Sequence, residues 1–184
     1  MTARMIRPST TTGSGALWVK ALFNAVAFFA VFLAVLPWLF HRAIGVALPL
    51  PFAVSRVLSV ALFVTAVLVW FWCLLAFVRQ GRGTPFPLDA PRHLVTTGPY
   101  AIMRNPIMTT EVAITWAEAL YFGSLGVLLY AALVSVLAHV VVVKVEEPEL
   151  RARMGEAYSE YCARVPRWLP RLTRRPSSAR TAER

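Results

Sequence analysis

The chain has 184 residues, a length that favours a single domain. Hydrophobic residues make up 58% and charged residues 15%, which excludes an ordinary soluble domain and points to an integral membrane protein. The formal net charge of +10 suits nucleic acid or an anionic membrane face, and the long apolar runs decide for the membrane and against nucleic acid.

Residues 1–15 are polar, basic and rich in Ser, Thr and Gly, and are expected to be poorly ordered. The run 16–40 is interrupted only by Lys20, Asn24 and Pro37 and is long enough to cross a bilayer, which takes about 20 residues. A signal peptide is the competing reading. The length of the run and the absence of a small-x-small cleavage site favour a retained first span. A short connection, 41–56, leads to 57–78, a second span without a charge. Trp70 and Trp72 near its end read as interfacial anchors.

The long loop 79–105 opens with Gly81-Arg82-Gly83-Thr84-Pro85-Phe86-Pro87, which cannot continue a helix. Its glycine pair is no nucleotide loop. It ends in Gly98-Pro99-Tyr100-Ala101-Ile102-Met103-Arg104-Asn105-Pro106. Asn105-Pro106 predicts a helix start, with Asn as N-cap and Pro at the first helical position. The third span, 106–122, carries Glu111 and Glu118 seven residues apart, hence on one face. Glu118 is expected either to help define an acceptor pocket or to pack against His139. Gly123-Ser124 makes a tight turn into the fourth span, 125–145, and predicts an antiparallel hairpin.

Glu146-Glu147-Pro148-Glu149 ends or kinks that span and opens a further helix. In it Leu150, Met154, Ala157, Tyr158 and Tyr161 recur at helical spacing. Glu147/Arg151, Glu149/Arg153 and Glu160/Arg164 stand four apart, acid first. The pattern predicts an amphipathic helix lying on the membrane. Residues 171–184 form a basic tail expected to be disordered. The fold class is therefore all-α and polytopic, with about four transmembrane helices plus a C-terminal amphipathic helix, in one domain over 16–170. Arg42 and Arg56 are the only basic residues on the side away from the termini. The positive-inside rule then puts both termini and the 98–106 hinge in the cytoplasm. Cys73 and Cys162 lie in unlike surroundings and read as free thiols.

The hairpin brings Tyr100/Arg104/Asn105 beside Glu146/Glu147. On residue chemistry alone, the cluster reads as a ligand site or as a structural ion pair. The order Gly98-Pro99-Tyr100-x-x-x-Arg104-Asn105-Pro106-x-Met108, Glu146-Glu147-x-x-Leu150, Gly155-x-x-Tyr158-x-x-Tyr161 and Val165-Pro166-Arg167 resembles the isoprenylcysteine carboxyl methyltransferase and phospholipid methyltransferase group. The resemblance covers residues 80–170. It implies an integral membrane enzyme using S-adenosylmethionine, with a lipid or small lipophilic substrate and no metal. It implies catalytic roles for Arg104 and Glu147, and a cofactor pocket formed by Tyr100, Asn105, Pro106, Glu146 and Glu147. Asn105 stands where the isoprenylcysteine branch has histidine, and Asn-Pro here resembles the phospholipid branch. Thr109 stands where a tyrosine often follows the Pro-x-Met element. The implied function is methyl transfer to a lipophilic or small acceptor at the cytoplasmic membrane face. The alternatives are a phospholipid amine or small thiol acceptor, or a non-catalytic membrane scaffold.

Overall fold

The computed structural model describes residues 14–81 and 92–169. The expectations for residues 1–13, for 82–91 of the long loop and for the 171–184 tail lie outside them. Helix α1, Ser14–Ala30, begins just inside the segment expected to be poorly ordered. It runs through a wider π-helical turn, Val31–Val35, into α2, Leu36–Ala43. Pro37 accounts for the wide turn. Its ring would clash with the carbonyl four residues back, and it has no N–H to give. The Leu36 N–H therefore bonds Val31 O, and the carbonyl of Phe32 loses both of its helical donors. Tyr130 supplies the missing donor, its hydroxyl bonding Phe32 O at 2.6 Å.

Helix α3, Phe52–Ala76, continues in a π-helical turn, Phe77–Gly81. Helix α4 is Pro106–Phe122 and α5 is Leu125–Val141. Between them Gly123 adopts a left-handed conformation (φ +55°), which favours glycine, and Ser124 caps α5 by accepting from the Val127 N–H. This turn meets the 44–51 connection. Leu48 N–H bonds Gly123 O at 2.7 Å, and Leu125 N–H bonds Val46 O at 3.0 Å. The isolated bridge Ala47–Ser124 is the only extended pairing among the described residues.

Among the described residues, three helices are long and apolar enough to cross a membrane: Leu22–Ala43, Ala53–Gly81 and Leu125–Met154. Their outward residues, such as Phe23, Val57, Leu68 and Val136, are exposed, as lipid-facing side chains are. Helix α4 has 17 residues, about 25 Å at 1.5 Å per residue against a hydrocarbon core of about 30 Å. It packs chiefly on α3 and α5. Small residues allow the close approaches. A methyl on Gly126 would stand 2.2 Å from Phe40 O, so α2 and α5 touch there backbone to backbone.

An acid at the bilayer centre costs roughly 2.5–3.5 kcal/mol on insertion scales, so it should face protein. Glu111 and Glu118 do share the face that meets α3. Glu111 accepts from Trp70 Nε1 at 3.1 Å, and Glu118 borders a cavity beside Ser59 and Phe63. Trp70 is thus no interfacial anchor. It is 1% exposed and packed edge-on against Phe29, whereas Trp72 is 55% exposed. His139 does not meet Glu118; it accepts from Trp168 Nε1 at 3.2 Å.

Past α5 a further π-helical turn, Val142–Glu146, precedes Pro148 for the reason given for Pro37, and Glu147 N–H bonds Val142 O. The expected single amphipathic helix is two: α6, Glu147–Met154, and α7, Glu156–Arg164. Gly155, at φ +58° and ψ −130°, breaks them. Leu150, Met154, Tyr158 and Tyr161 pack with Leu94 and Val165, so protein covers that apolar face, while Ala157 is exposed.

Candidate functional site

The residues singled out from the sequence gather at the end of the helices away from the Gly123-Ser124 turn. A one-turn 3₁₀ helix, Gly98–Ala101, leads in. Gly98 has φ +61°, and a methyl there would sit 3.1 Å from Trp72 Nε1, so glycine lets the chain turn against the end of α3. Thr97 Oγ1 bonds Gln80 Oε1 across the same junction. Tyr100 is buried, packed edge-on against Phe77 and grouped with Cys73 and Val95. Burial raises its hydroxyl above the ordinary pKa, so it stays a neutral donor. That hydroxyl has no nitrogen or oxygen partner among the described residues and faces the Cys73 thiol. The Tyr100 carbonyl accepts from the Tyr161 hydroxyl at 2.7 Å.

Pro106 begins α4 as expected, and it is fully buried. Asn105 occupies the N-cap position, yet its side chain does not cap the helix. Its Nδ2 donates instead to Arg167 O at 3.2 Å. The backbone follows suit: Arg104 N–H bonds Pro166 O at 2.8 Å, and Asn105 N–H bonds Arg167 O at 3.3 Å. The segment after α7 is thereby stitched to the start of α4.

Glu147 is the centre of the charges. Arg167 grips it with two prongs, Nε to Oε1 at 2.6 Å and Nη2 to Oε2 at 3.0 Å. Arg104 Nη1 reaches Oε1 at 3.3 Å. The Arg104 and Glu147 side chains are only 10% and 7% exposed, so the contact is shielded from water. The bond to Glu147 raises the Arg167 pKa and keeps the guanidinium charged. Arg104 also donates to Cys162 Sγ at 2.7 Å, while its Nε is buried without a partner. Glu146 is half-buried next to Glu147 in the chain. Both cysteines are free.

A cavity of about 230 Å³ adjoins this cluster between α4 and α5. Thr109, Ser135, His139 and Trp168 stand among its walls. Thr109 follows the site's helix start, and Trp168 follows Arg167.

Residues 54–157 match the model of the family described as phospholipid methyltransferase. The chain belongs to that family. No curated protein matches it. Membership in the phospholipid methyltransferase family implies methyl transfer at a membrane, and the three long apolar helices make this an integral membrane protein.

The arrangement unites Arg104, Asn105, Glu147 and Arg167 directly. It sets Tyr100 behind them through Tyr161. Sequence reading assigns Arg167 no role beyond its place in Val165-Pro166-Arg167. The signal for it is a lone arginine held between two prolines, Pro166 and Pro170, after a helix of mixed charge. Trp70 as the partner of Glu111 leaves no sequence signal, because the two are far apart in the chain.

Proposed function

We propose that this chain transfers a methyl group from S-adenosylmethionine to a lipophilic acceptor at the cytoplasmic face of the membrane. The observation that carries the reading is the Arg104–Glu147–Arg167 cluster, its Arg104–Glu147 contact shielded from water, with the buried Arg104 Nε left without a partner. A buried guanidinium N–H in want of an acceptor, beside the half-buried carboxyl group of Glu146, suits a ligand with both a carboxylate and an ammonium. S-adenosylmethionine is such a molecule, and when bound it supplies an electrophilic methyl on a sulfonium.

Arg104 holds the ligand carboxylate through its free edge. Glu146 accepts from the ammonium or the ribose diol. Glu147 has its oxygens taken by two guanidiniums, so it positions Arg104 and locks the C-terminal segment over the site. Asn105 and Pro106 set the backbone of the helix start, and Tyr100 lines the buried side. These groups do their work by orientation, which is the main requirement of an in-line displacement with reacting atoms about 3–3.5 Å apart.

The cavity between α4 and α5 supports a lipophilic acceptor arriving sideways from the bilayer. A phospholipid amine is favoured among acceptors by the family matched and by Asn105-Pro106. The topology that goes with this reading has four crossings. The contacts at Gly123-Ser124 and at Arg104–Glu147, which set the two ends of α4 beside α5 and α6, support α4 as the fourth crossing.

Calorimetric titration of the detergent-purified chain with S-adenosylmethionine tests the reading. Saturable binding is expected, weakened at least tenfold by Arg104→Ala and by Glu147→Gln, in line with about 1.5–3 kcal/mol for charge-assisted bonds. A folded, lipid-supplemented wild type that binds nothing would leave a scaffold in place of an enzyme.

A further inference from the structure

The segment 165–169, which follows α7, is fastened to the rest of the bundle by two holds that differ in kind. The inner hold is ionic. Arg167 grips Glu147 with two prongs, and the Arg104 and Asn105 N–H groups bond Pro166 O and Arg167 O. The outer hold is neutral. Trp168 Nε1 donates to His139 Nδ1 on α5 at 3.2 Å. At this outer end, Trp168 and Leu169 help to wall the cavity of about 230 Å³, together with Thr109 and Val112 of α4 and Ser135 and Ala138 of α5. The segment is therefore a strap, and its outer end forms one wall of that cavity.

An indole N–H can only donate, so His139 Nδ1 must offer a lone pair to this bond. A proton on Nδ1 removes the acceptor and sets two N–H groups against each other. A cation–π contact does not compensate, because the indole meets the imidazole with its N–H edge, the positive side of an aromatic ring. His139 is exposed, and Thr109, which shares the cavity, lies only one turn inside the start of α4. The pair thus stands at the charged end of the bundle and not in its middle. Among the described residues, no other titratable side chain lines the cavity. Of the neighbouring charges along the chain, Arg167 on the strap is engaged by Glu147, and Lys144 follows His139 beyond the end of α5. We propose that His139 is a proton-operated clasp. Neutral, it fastens Trp168 and closes the cavity wall. Protonated, it frees Trp168 and Leu169 and opens that wall, while Arg167 keeps its hold on Glu147. The clasp works in this way whatever ligand the Arg104–Glu147 cluster binds.

The test is a distance measurement by double electron–electron resonance on the full chain in dodecyl maltoside. Nitroxides are placed on Leu169→Cys and Phe122→Cys, two exposed positions, the second at the far end of α4. Cys162→Ser removes the half-buried thiol, and Cys73 is buried. At about pH 8 a narrow distance distribution is expected. At about pH 5.5, across the range in which histidine takes up a proton, it should broaden and its mean move by about 5 Å or more, the length of a helical turn. His139→Asn offers an acceptor that binds no proton and should remove the response to pH. Trp168→Phe has no N–H to donate and should give the broad distribution already at pH 8. The proposal is overturned by a distribution that pH leaves unchanged when His139 and Trp168 are both present. It is overturned too by a pH response that survives His139→Asn, or by a narrow distribution at pH 8 in Trp168→Phe. S-adenosylmethionine takes no part in the readout, so failure of the clasp and failure of the methyl-transfer reading are separate results.

Discussion

Glu147 accepts from two arginines that reach it from either side in the chain, Arg104 before α4 and Arg167 after α7. The two-pronged grip of Arg167 depends on the planar fork of a guanidinium. Arg167→Lys keeps the charge and loses one prong. Its expected result is about tenfold weaker binding of S-adenosylmethionine with Tm nearly unchanged, read by titration calorimetry beside unfolding. Wild-type affinity in this variant would show that the fork does not shape the pocket. Asn105 shows where residue chemistry misleads. Asn before Pro is a good N-cap by preference, but its side chain bonds Arg167 O instead. A backbone carbonyl brought in by a distant segment draws the amide's Nδ2 to itself and leaves its Oδ1 off the helix's own N–H groups, and no local pattern records it.

At the scale of elements, prolines and glycines do the shaping. Pro37 and Pro148 each follow a π-helical turn, and Tyr130 repairs the first by bonding Phe32 O. Tyr130→Phe should cost about 1 kcal/mol, the worth of one hydrogen bond among membrane helices, measured as a lower Tm in detergent. Gly126→Ala should cost more, about 1–3 kcal/mol, because a methyl 2.2 Å from Phe40 O forces α2 and α5 apart. Gly155→Ala is a purely conformational test, since nothing lies within 4 Å of the added carbon. The left-handed backbone there should make it unfavourable by about 1–3 kcal/mol. Its expected signature is a looser C-terminal segment, seen as faster hydrogen exchange over 156–168, with the core helices unaffected. The helices themselves are legible in the sequence, because apolar runs of spanning length admit little else. The break at Gly155 is not, because a glycine inside a helical pattern is compatible with continuation, and only the packing of Tyr158 and Tyr161 against Leu94 demands the turn.

The whole molecule is a bundle with two unlike ends. One end has tight turns, stitched by Leu48–Gly123 and Leu125–Val46 backbone bonds. The other collects the charges and the candidate site. The four crossings proposed above predict that fusions at either terminus report the same compartment. Green fluorescent protein should fluoresce and alkaline phosphatase stay inactive at both ends, and opposite results at the two ends would require an odd number of crossings. The sequence by itself determined the membrane setting, the all-helical class, the hairpin at Gly123-Ser124 and the motifs that mark the family. Each of these follows from local hydropathy, turn chemistry or residue order. Only the tertiary structure decided that Trp70 is a buried partner of Glu111, that Arg167 grips Glu147, and that Glu118 borders a cavity beside α3. Those are matters of which faces meet, and for a chain apolar on nearly every side the hydrophobic pattern does not choose the faces; close packing and the pairing of the few buried polar groups do.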